Sequence, residues 1–269
     1  MGKFKIAVCQ MQVVDDKDKN VKKAVNMLEQ AAKGGASLVV LPEMFNCPYE
    51  RRKFRLYAES IPDGPTTQTM AAKAKELGIV VVGGSIPEIE GDNIYNTSVV
   101  YGRDGNIMGK YRKIHLFDID IPGKVRVVES ETLTAGDSIL VADLGFCKVG
   151  VVICYDMRFQ NLIMKTVLSG ANIVVAPGAF NIYTGEAHWE LLVRTRAVDN
   201  QVFFVGASPA RDMTAAYKAF GNSMVSSPWG EVIARAGIEE EIVFADIDLK
   251  EVEEVRQQLP LLQHRRTDI

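Results

Sequence analysis

The sequence contains few of the residues that hold small proteins together through disulfides or metal ions. Its 269 residues include 4 cysteines and 3 histidines. The cysteines show no C-x-x-C spacing, and the histidines show no His-Glu-x-x-His spacing. These patterns exclude a disulfide framework and disfavour a zinc site. We therefore expect free thiols in a reducing, cytoplasmic compartment, and neither a metal nor a cofactor.

A basic block and a long apolar run are also absent. Lys and Arg total 31 against 34 Asp and Glu, a formal net charge of -3, and basic residues form only short pairs. Because nucleic-acid binding depends on concentrated positive charge, we expect no nucleic-acid partner. No apolar segment approaches the roughly 20 residues that span a bilayer, so we expect no signal peptide and no membrane segment.

Several catalytic signatures are missing as well. The sequence has no G-x-S-x-G, no phosphate-binding loop and no dinucleotide fingerprint. The sequence therefore lacks the residues that define serine hydrolases, nucleotide-binding proteins and Rossmann dehydrogenases. What is present is a high apolar fraction, 47%, which supports a substantial core and excludes intrinsic disorder.

Helical and strand-like segments alternate along the chain. Apolar spacing predicts helices over 20–33, 66–77, 159–169 and 188–199, followed by short strands over 37–41, 79–82, 172–176 and 201–205. Two hairpins are expected, one joining 95–101 to 107–111 and one joining 223–226 to 231–235. This pattern is typical of an α/β protein with helices packed outside its sheets.

The two halves of the chain resemble each other. GASLVVLP (35–42) and GANIVVAP (170–177) agree at five of eight positions, and VVGGS (81–85) matches FVGAS (204–208) at a similar offset. The same order of matches in both halves indicates a duplicated αβ unit. Two such units predict a four-layer α-β-β-α sandwich with an internal pseudo-two-fold repeat, forming a single domain over residues 1–269.

Three residues near strand ends could carry chemistry, two of them at places where ordinary packing does not require them. Cys154 follows the apolar strand predicted over 148–153 and precedes a helix, a turn at which backbone N–H groups and the helix N-terminus stabilise a thiolate. Glu43 follows a buried strand at the sheet edge where α/β proteins bind ligands. Lys113 closes the second strand of a hairpin. Taken singly, each also fits a structural role in a core or a solvated loop.

Taken together, three segments carry a specific resemblance. LPEMF (41–45), KYRKIHLFDID (110–120) and GVVICYDMRF (150–159) resemble the three signatures of the carbon-nitrogen hydrolase, or nitrilase, superfamily. They occur in the family order, and the resemblance covers essentially the whole chain. The superfamily fold is the four-layer sandwich expected above. NCPYE (46–50), 177–201, ASPARD (207–212) and ADIDL (245–249) look most like the omega-amidase branch, whose members hydrolyse the terminal amides of 2-oxoglutaramate and 2-oxosuccinamate.

The resemblance implies a role for each residue of a Glu-Lys-Cys triad. It makes Cys154 the nucleophile, Glu43 the general base and Lys113 the oxyanion stabiliser, with Glu129 as the best match to a second glutamate beside the lysine. It also implies a set of substrate-binding residues, in which the Tyr155 backbone N–H assists the oxyanion and Arg158 holds a carboxylate; the set is Tyr49, Tyr155, Arg158, Phe180 and Thr184.

Alternatives remain within this resemblance. The triad serves other branches equally, including deaminated-glutathione amidases, N-carbamoyl amino acid amidohydrolases and true nitrilases, and a catalytically silent binding protein could keep the fold. Members commonly pair through helices near the nucleophile, so we expect a homodimer using 159–169 and 186–199. The stretch 249–258 and the tail to Ile269 could reach the neighbouring subunit. The irregular, charged segment 115–135 could act as a lid.

Overall fold

The computed structural model describes residues 2–123 and 125–266. Its helices are α1 (Lys17–Lys33), α2 (Arg51–Tyr57), α3 (Pro65–Leu77), α4 (Gln160–Leu168), α5 (Ile182–Asn200), α6 (Lys250–Gln258) and α7 (Leu261–His264). Its strands are β1 (Lys3–Gln10), β2 (Leu38–Val40), β3 (Val80–Val82), β4 (Ile86–Glu90), β5 (Asn93–Tyr101), β6 (Ile107–Arg112), β7 (Asp118–Ile121), β8 (Val125–Val128), β9 (Leu140–Asp143), β10 (Lys148–Val151), β11 (Ile173–Pro177), β12 (Phe203–Ala207), β13 (Met224–Ser226), β14 (Val232–Arg235) and β15 (Glu241–Asp248).

The strands form two large sheets and one hairpin. The first sheet has the order β15-β1-β2-β3-β5-β4, with β6 paired to the other edge of β5. The second has the order β14-β13-β12-β11-β10-β9, and β7 pairs with β8 alone.

The two large sheets repeat one topology. In the first, β1, β2 and β3 are parallel, flanked by antiparallel β15 and β5. In the second, β10, β11 and β12 are parallel, flanked by antiparallel β9 and β13. Helices α1 and α3 connect the first set, and α4 and α5 connect the second. The predicted internal repeat is therefore confirmed: its matched segments 35–42 and 170–177 contain β2 and β11.

Alternate residues of the strands divide between two apolar cores. Ala7 and Val39 face α1 and α3 on the outer side of the first sheet. Val8 and Val40 face inward and join the core that contains the second sheet and residues of α4 and α5. The central strands β2, β3, β11 and β12 are buried on both faces, as their continuous apolar runs predict. The order of layers is helix, sheet, sheet, helix, which confirms the predicted sandwich.

Local signals set the helix ends. The Asp16 side chain accepts a hydrogen bond from the Lys19 N–H and caps α1. Pro65 opens α3, and Gly78 closes it in a left-handed conformation with φ of 64°. The predicted start of the helix at residue 188 was wrong, because α5 begins at Ile182. Its cap is Asn181, which accepts from the Thr184 N–H, and the buried Gly185 lies within the helix.

Two further expectations need correction or restriction. Segment 115–135 is not irregular throughout, because it contains the β7–β8 hairpin and a short 3-10 helix over Glu129–Glu131. The helix expected at 249–258 is present as α6, whereas the end of the tail, residues 267–269, lies outside the described residues. Within the described ranges, no helix is long and apolar enough to cross a membrane.

Candidate active site

Glu43 lies in a turn directly after β2. The next residue, Met44, has a left-handed backbone with φ of 52°, a conformation that is uncommon for a non-glycine residue. The loop after β3 holds this turn, since the Met44 N–H donates to Ser85 Oγ at 3.0 Å. The backbones of Gly84 and Pro42 lie very close together. A Cβ on Gly84 would be 2.0 Å from the Pro42 carbonyl oxygen, so this position requires glycine. These contacts fix the Glu43 carboxylate inside the protein, where it is 1% exposed.

The Glu43 carboxylate accepts hydrogen bonds from both sheets. Oε1 accepts from Asn96 Nδ2 at 2.8 Å and from Lys113 Nζ at 3.2 Å. Oε2 accepts from the Ala179 N–H at 2.6 Å, and the Cys154 side chain lies close enough to the carboxylate for each group to shift the other's pKa. Burial raises the pKa of Glu43 above its ordinary value, although the Lys113 charge opposes the rise. A raised pKa suits a group that must both accept and return a proton.

Lys113 follows β6 and is fully buried between two glutamates. Its Nζ lies 3.2 Å from Glu43 Oε1 and 2.9 Å from Glu129 Oε2. Burial alone would lower the pKa of Lys113, but the carboxylates of Glu129 and Glu43 raise it well above the ordinary value. The ammonium form therefore persists in the core, paired as buried charges must be.

Glu129 occupies the 3-10 helix after the β7–β8 hairpin and is also 1% exposed. Its Oε1 accepts from the Tyr49 hydroxyl at 2.6 Å, and its Oε2 accepts from the Phe117 N–H at 2.6 Å. The carboxylate is thus oriented by two donors besides Lys113. The structure brings Glu129 beside the lysine, as the sequence resemblance implied.

Cys154 begins a short 3-10 helix, Cys154–Arg158, just after β10. Its backbone is left-handed, with φ of 48°, and the residue is 3% exposed. Burial raises the pKa of the Cys154 thiol well above its ordinary value, and the Glu43 charge raises it further. The expectation that this turn stabilises a thiolate is therefore wrong. The geometry instead pairs a thiol with a carboxylate that can take its proton.

A narrow cleft lies beside the thiol. It is lined by Phe117, Cys154, Tyr155, Arg158, Ala179, Phe180 and Thr184. Four of the five residues expected to bind substrate lie here together. Tyr49 does not: it lines a neighbouring cavity that reaches Glu43 and Ala179, and packs against Tyr217 with ring centroids 4.6 Å apart.

Arg158 supplies the cation of the cleft. Its guanidinium lies over the Phe180 ring at 5.1 Å, and its Nη1 is 3.3 Å from His188 Nδ1. Burial and the Arg158 charge lower the pKa of His188, so this partner is a neutral imidazole at neutral pH. Among the described residues, no carboxylate forms an ion pair with Arg158. Its planar donors are available to an anionic ligand.

Sequence reasoning missed three groups that contact the site. Asn96 donates to Glu43 from the middle of β5, and the Ala179 N–H donates to the same carboxylate. Tyr217 donates to the Ala179 carbonyl at 2.6 Å from a loop. The polar run Asn96-Thr97-Ser98 between the apolar parts of β5 was a detectable signal for Asn96. The backbone contact and the loop tyrosine left no such signal.

The fold and this buried Glu-Lys-Cys cluster define the class of protein, and comparisons with known proteins agree. The family model for carbon-nitrogen hydrolases matches residues 5–257. The omega-amidase NIT2 of Homo sapiens is 52% identical over 100% of this chain and 97% of its own length, and that of Danio rerio is 53% identical with the same coverage. Among solved structures, Saccharomyces cerevisiae Nit3, a member of branch 10 of the nitrilase superfamily, is 43% identical, with a TM-score of 0.90 over 98% of this chain and 97% of its own.

The chain therefore belongs to the carbon-nitrogen hydrolase family. Members of this class hydrolyse carbon-nitrogen bonds other than peptide bonds. For the described residues, no group of three or more His, Cys, Asp or Glu side chains is arranged to hold a metal ion.

Proposed function

We propose that the protein is an omega-amidase that hydrolyses the terminal amide of 2-oxoglutaramate or 2-oxosuccinamate to the 2-oxo dicarboxylic acid and ammonia. The observation that carries the proposal is a buried thiol and carboxylate pair that opens onto a cleft with one available cation, Arg158. A cleft with this charge fits an amide whose far end is a carboxylate. The omega-amidase relatives support the same substrate class.

In the first half-reaction, Glu43 takes the thiol proton as the Cys154 sulfur attacks the amide carbonyl carbon. The carbonyl π electrons move to oxygen and form a tetrahedral oxyanion. Lys113 Nζ and the Tyr155 backbone N–H stabilise this charge, an effect of about 3–4 kcal/mol per donor in comparable sites. Glu43 then protonates the amide nitrogen, the carbon-nitrogen bond breaks, and ammonia leaves behind a thioester on Cys154.

In the second half-reaction, the deprotonated Glu43 takes a proton from water, whose oxygen attacks the thioester carbonyl carbon. The second oxyanion forms at the same donors. When the carbon-sulfur bond breaks, the proton returns from Glu43 to sulfur and the carboxylic acid is released. Glu129 binds the Lys113 ammonium throughout both half-reactions. The raised pKa of Glu43 allows this residue to act first as a base and then as an acid.

Arg158 is the residue we propose to read the distant carboxylate, with Tyr155, Phe180 and Thr184 forming the walls around it. Tyr49 does not line this cleft, and its hydroxyl donates a hydrogen bond to the Glu129 carboxylate. Arg158→Gln is expected to lower kcat/KM for 2-oxoglutaramate about 100-fold, because a bidentate charged contact is lost. The same change should leave an uncharged amide of similar length within about threefold of its wild-type value.

Ammonia release by the purified protein is the measurement, and Arg103→Gln, in the turn between β5 and β6 and away from the cleft, is the matched control. Wild-type protein should prefer 2-oxoglutaramate over N-carbamoyl amino acids, deaminated glutathione and nitriles. A preference for one of those substrates would transfer the assignment to another branch. Equal losses for charged and uncharged amides would remove Arg158 from carboxylate recognition. Absence of any hydrolysis would favour the silent binding protein.

We also propose a homodimer formed around α4 and α5. Large apolar side chains are exposed on and beside these helices, with Leu191 at 62% and Trp229 at 59%. Leu191, Val198 and Trp229 line one surface groove. Exposed apolar patches of this kind mark interfaces.

Light scattering at micromolar concentration should return twice the chain mass of 29.7 kDa. Leu191→Glu should weaken the dimer at least tenfold, because it buries a charge at the contact. Leu56→Glu, on the exposed face of α2, is the control. A wild-type monomer would contradict the proposal.

Two finer expectations complete the proposal. We treat the chain as a single domain, since the core of inward-facing side chains is continuous between the two sheets. We place the protein in the cytoplasm, because Cys9, Cys47, Cys147 and Cys154 are all free and buried thiols suit a reducing compartment.

A further inference from the structure

Asp156 is a buried carboxylate to which the mechanism above gives no role. It lies two residues after Cys154 and is 0% exposed. Oδ2 accepts from the Tyr111 hydroxyl at 2.8 Å and from the Ile153 N–H at 3.0 Å. Oδ1 accepts from the His115 N–H at 2.9 Å and contacts His115 Nδ1 at 2.8 Å. Both oxygens are therefore fully engaged.

The partners of Asp156 flank both functional segments. Tyr111 and His115 lie two residues before and two residues after Lys113, and Ile153 immediately precedes Cys154. One carboxylate thus joins the strand end that carries the lysine to the turn that carries the thiol. The His115 ring is itself held, since it stacks on Phe159 with ring centroids 3.6 Å apart and an interplanar angle of 6°.

We propose that Asp156 is a positioning residue that sets the placement of Lys113 Nζ relative to Cys154 Sγ, and through it the site where the oxyanion develops. The left-handed backbone of Cys154 needs surrounding contacts to persist, and the bond from the Ile153 N–H to Asp156 is one of them. Because the two segments belong to different sheets, their spacing depends on contacts such as this one. The inference rests on the proposed thiol chemistry.

Asparagine cannot replace this carboxylate. In one orientation its amide nitrogen would face the Ile153 N–H, and in the other it would face the His115 N–H. Each is a donor facing a donor. Asp156→Asn keeps the side-chain volume but breaks the hydrogen bond to one of these two backbone N–H groups. It therefore tests how much the carboxylate contributes to the relative placement of Lys113 and Cys154.

The test measures kcat, KM and the rate at which iodoacetamide alkylates Cys154, each across a pH series. Asp156→Asn should lower kcat about 100-fold, the scale of a misplacement near 1 Å, with KM within about threefold. Alkylation of Cys154 should slow about tenfold, with an altered pH profile. Tyr111→Phe, which removes one bond and keeps the ring, should give a smaller loss of kcat in the same direction.

Glu59→Gln is the matched control. Glu59 is also a buried carboxylate, and it accepts from the Thr66 N–H and hydroxyl at the start of α3, away from the cleft. It should lose stability while keeping kcat and the alkylation profile of the folded protein. If Asp156→Asn behaves like Glu59→Gln, the role is structural and the proposal is overturned.

Further measurements distinguish a failure of the positioning role from misfolding of Asp156→Asn and from failure of the proposed function. If Asp156→Asn does not fold, the double variant Tyr111→Phe/His115→Phe decides: wild-type kcat and alkylation profile there would overturn the proposal. If the wild-type protein hydrolyses no amide, the proposed function has failed, and the alkylation profile still reports on Asp156. An unchanged profile in Asp156→Asn would then overturn the positioning role by itself.

Discussion

Cys154→Ala is expected to lower kcat/KM for amide hydrolysis by about 10⁵-fold or more, the scale seen when a covalent nucleophile is removed. The reason is that neither Glu43 nor Lys113 can form the thioester. The alanine side chain removes one buried sulfur, so we expect a folded protein with unchanged circular dichroism. Ammonia release by purified wild-type and variant protein is the measurement.

The matched control is Cys9→Ala. Cys9 is equally buried, in β1, but it faces the outer helices, away from the cleft. Burial raises the pKa of its thiol to about 12, which keeps it protonated and unreactive. This variant should keep wild-type kcat in its folded fraction. Full activity in Cys154→Ala would contradict the proposed nucleophile.

Lys113→Met is expected to cost both activity and stability. Removing the ammonium leaves Glu43 and Glu129 buried without their shared cation, and breaking a buried ion pair costs about 3–5 kcal/mol of unfolding free energy. We expect kcat/KM in the folded fraction to fall about 10³-fold, since the side-chain donor to the oxyanion is lost. Urea unfolding and ammonia release report the two effects separately.

The pH dependence of this loss has a definite sign. Without Lys113, nothing opposes burial and the neighbouring Glu129 charge, both of which raise the pKa of Glu43, so the folded state binds a proton more readily than the unfolded state. The stability deficit should therefore be smaller at about pH 5.5 than at about pH 8. Adding Glu129→Gln should recover part of the stability but no activity.

Lys110→Met is the control for removing a lysine from β6 itself. Lys110 is partly exposed, and its partner Glu88 keeps Arg112. We expect a loss within about 1 kcal/mol and normal kcat. A Lys113→Met protein as stable as wild type would contradict this arrangement of charges. So would a stability deficit that is smaller at high pH than at low pH.

The architecture was largely readable from local patterns. Helical spacing, glycine stops and short apolar runs predicted α1, α3 and α4 with the strands that follow them, and the matches between 35–42 and 170–177 predicted the repeated topology. These features depend on residues near each other in sequence. The start of α5 was misplaced by six residues, because apolar spacing did not locate the first turns of the helix, which begin at the Asn181 cap.

The candidate site was readable at its three signature residues, and less so around them. Glu43 and Cys154 stood out because each follows an apolar strand, whereas Lys113 was identified mainly by the resemblance of its segment to a family signature. The contacts that tune them come from distant parts of the chain and from backbone groups, such as the Ala179 N–H on Glu43. The burial that raises the pKa of the Cys154 thiol is likewise a tertiary effect. For that reason, the prediction of a stabilised thiolate at Cys154 was wrong.

In the proposed mechanism, Cys154 carries the acyl group during turnover. The most direct test is rapid acid quenching of the wild-type protein during hydrolysis of saturating 2-oxoglutaramate, followed by mass spectrometry of its peptides. The peptide containing Cys154 should gain the mass of the acyl group, no other peptide should gain it, and the adduct should be absent from Cys154→Ala. Steady turnover with the acyl group found on a different residue would contradict it.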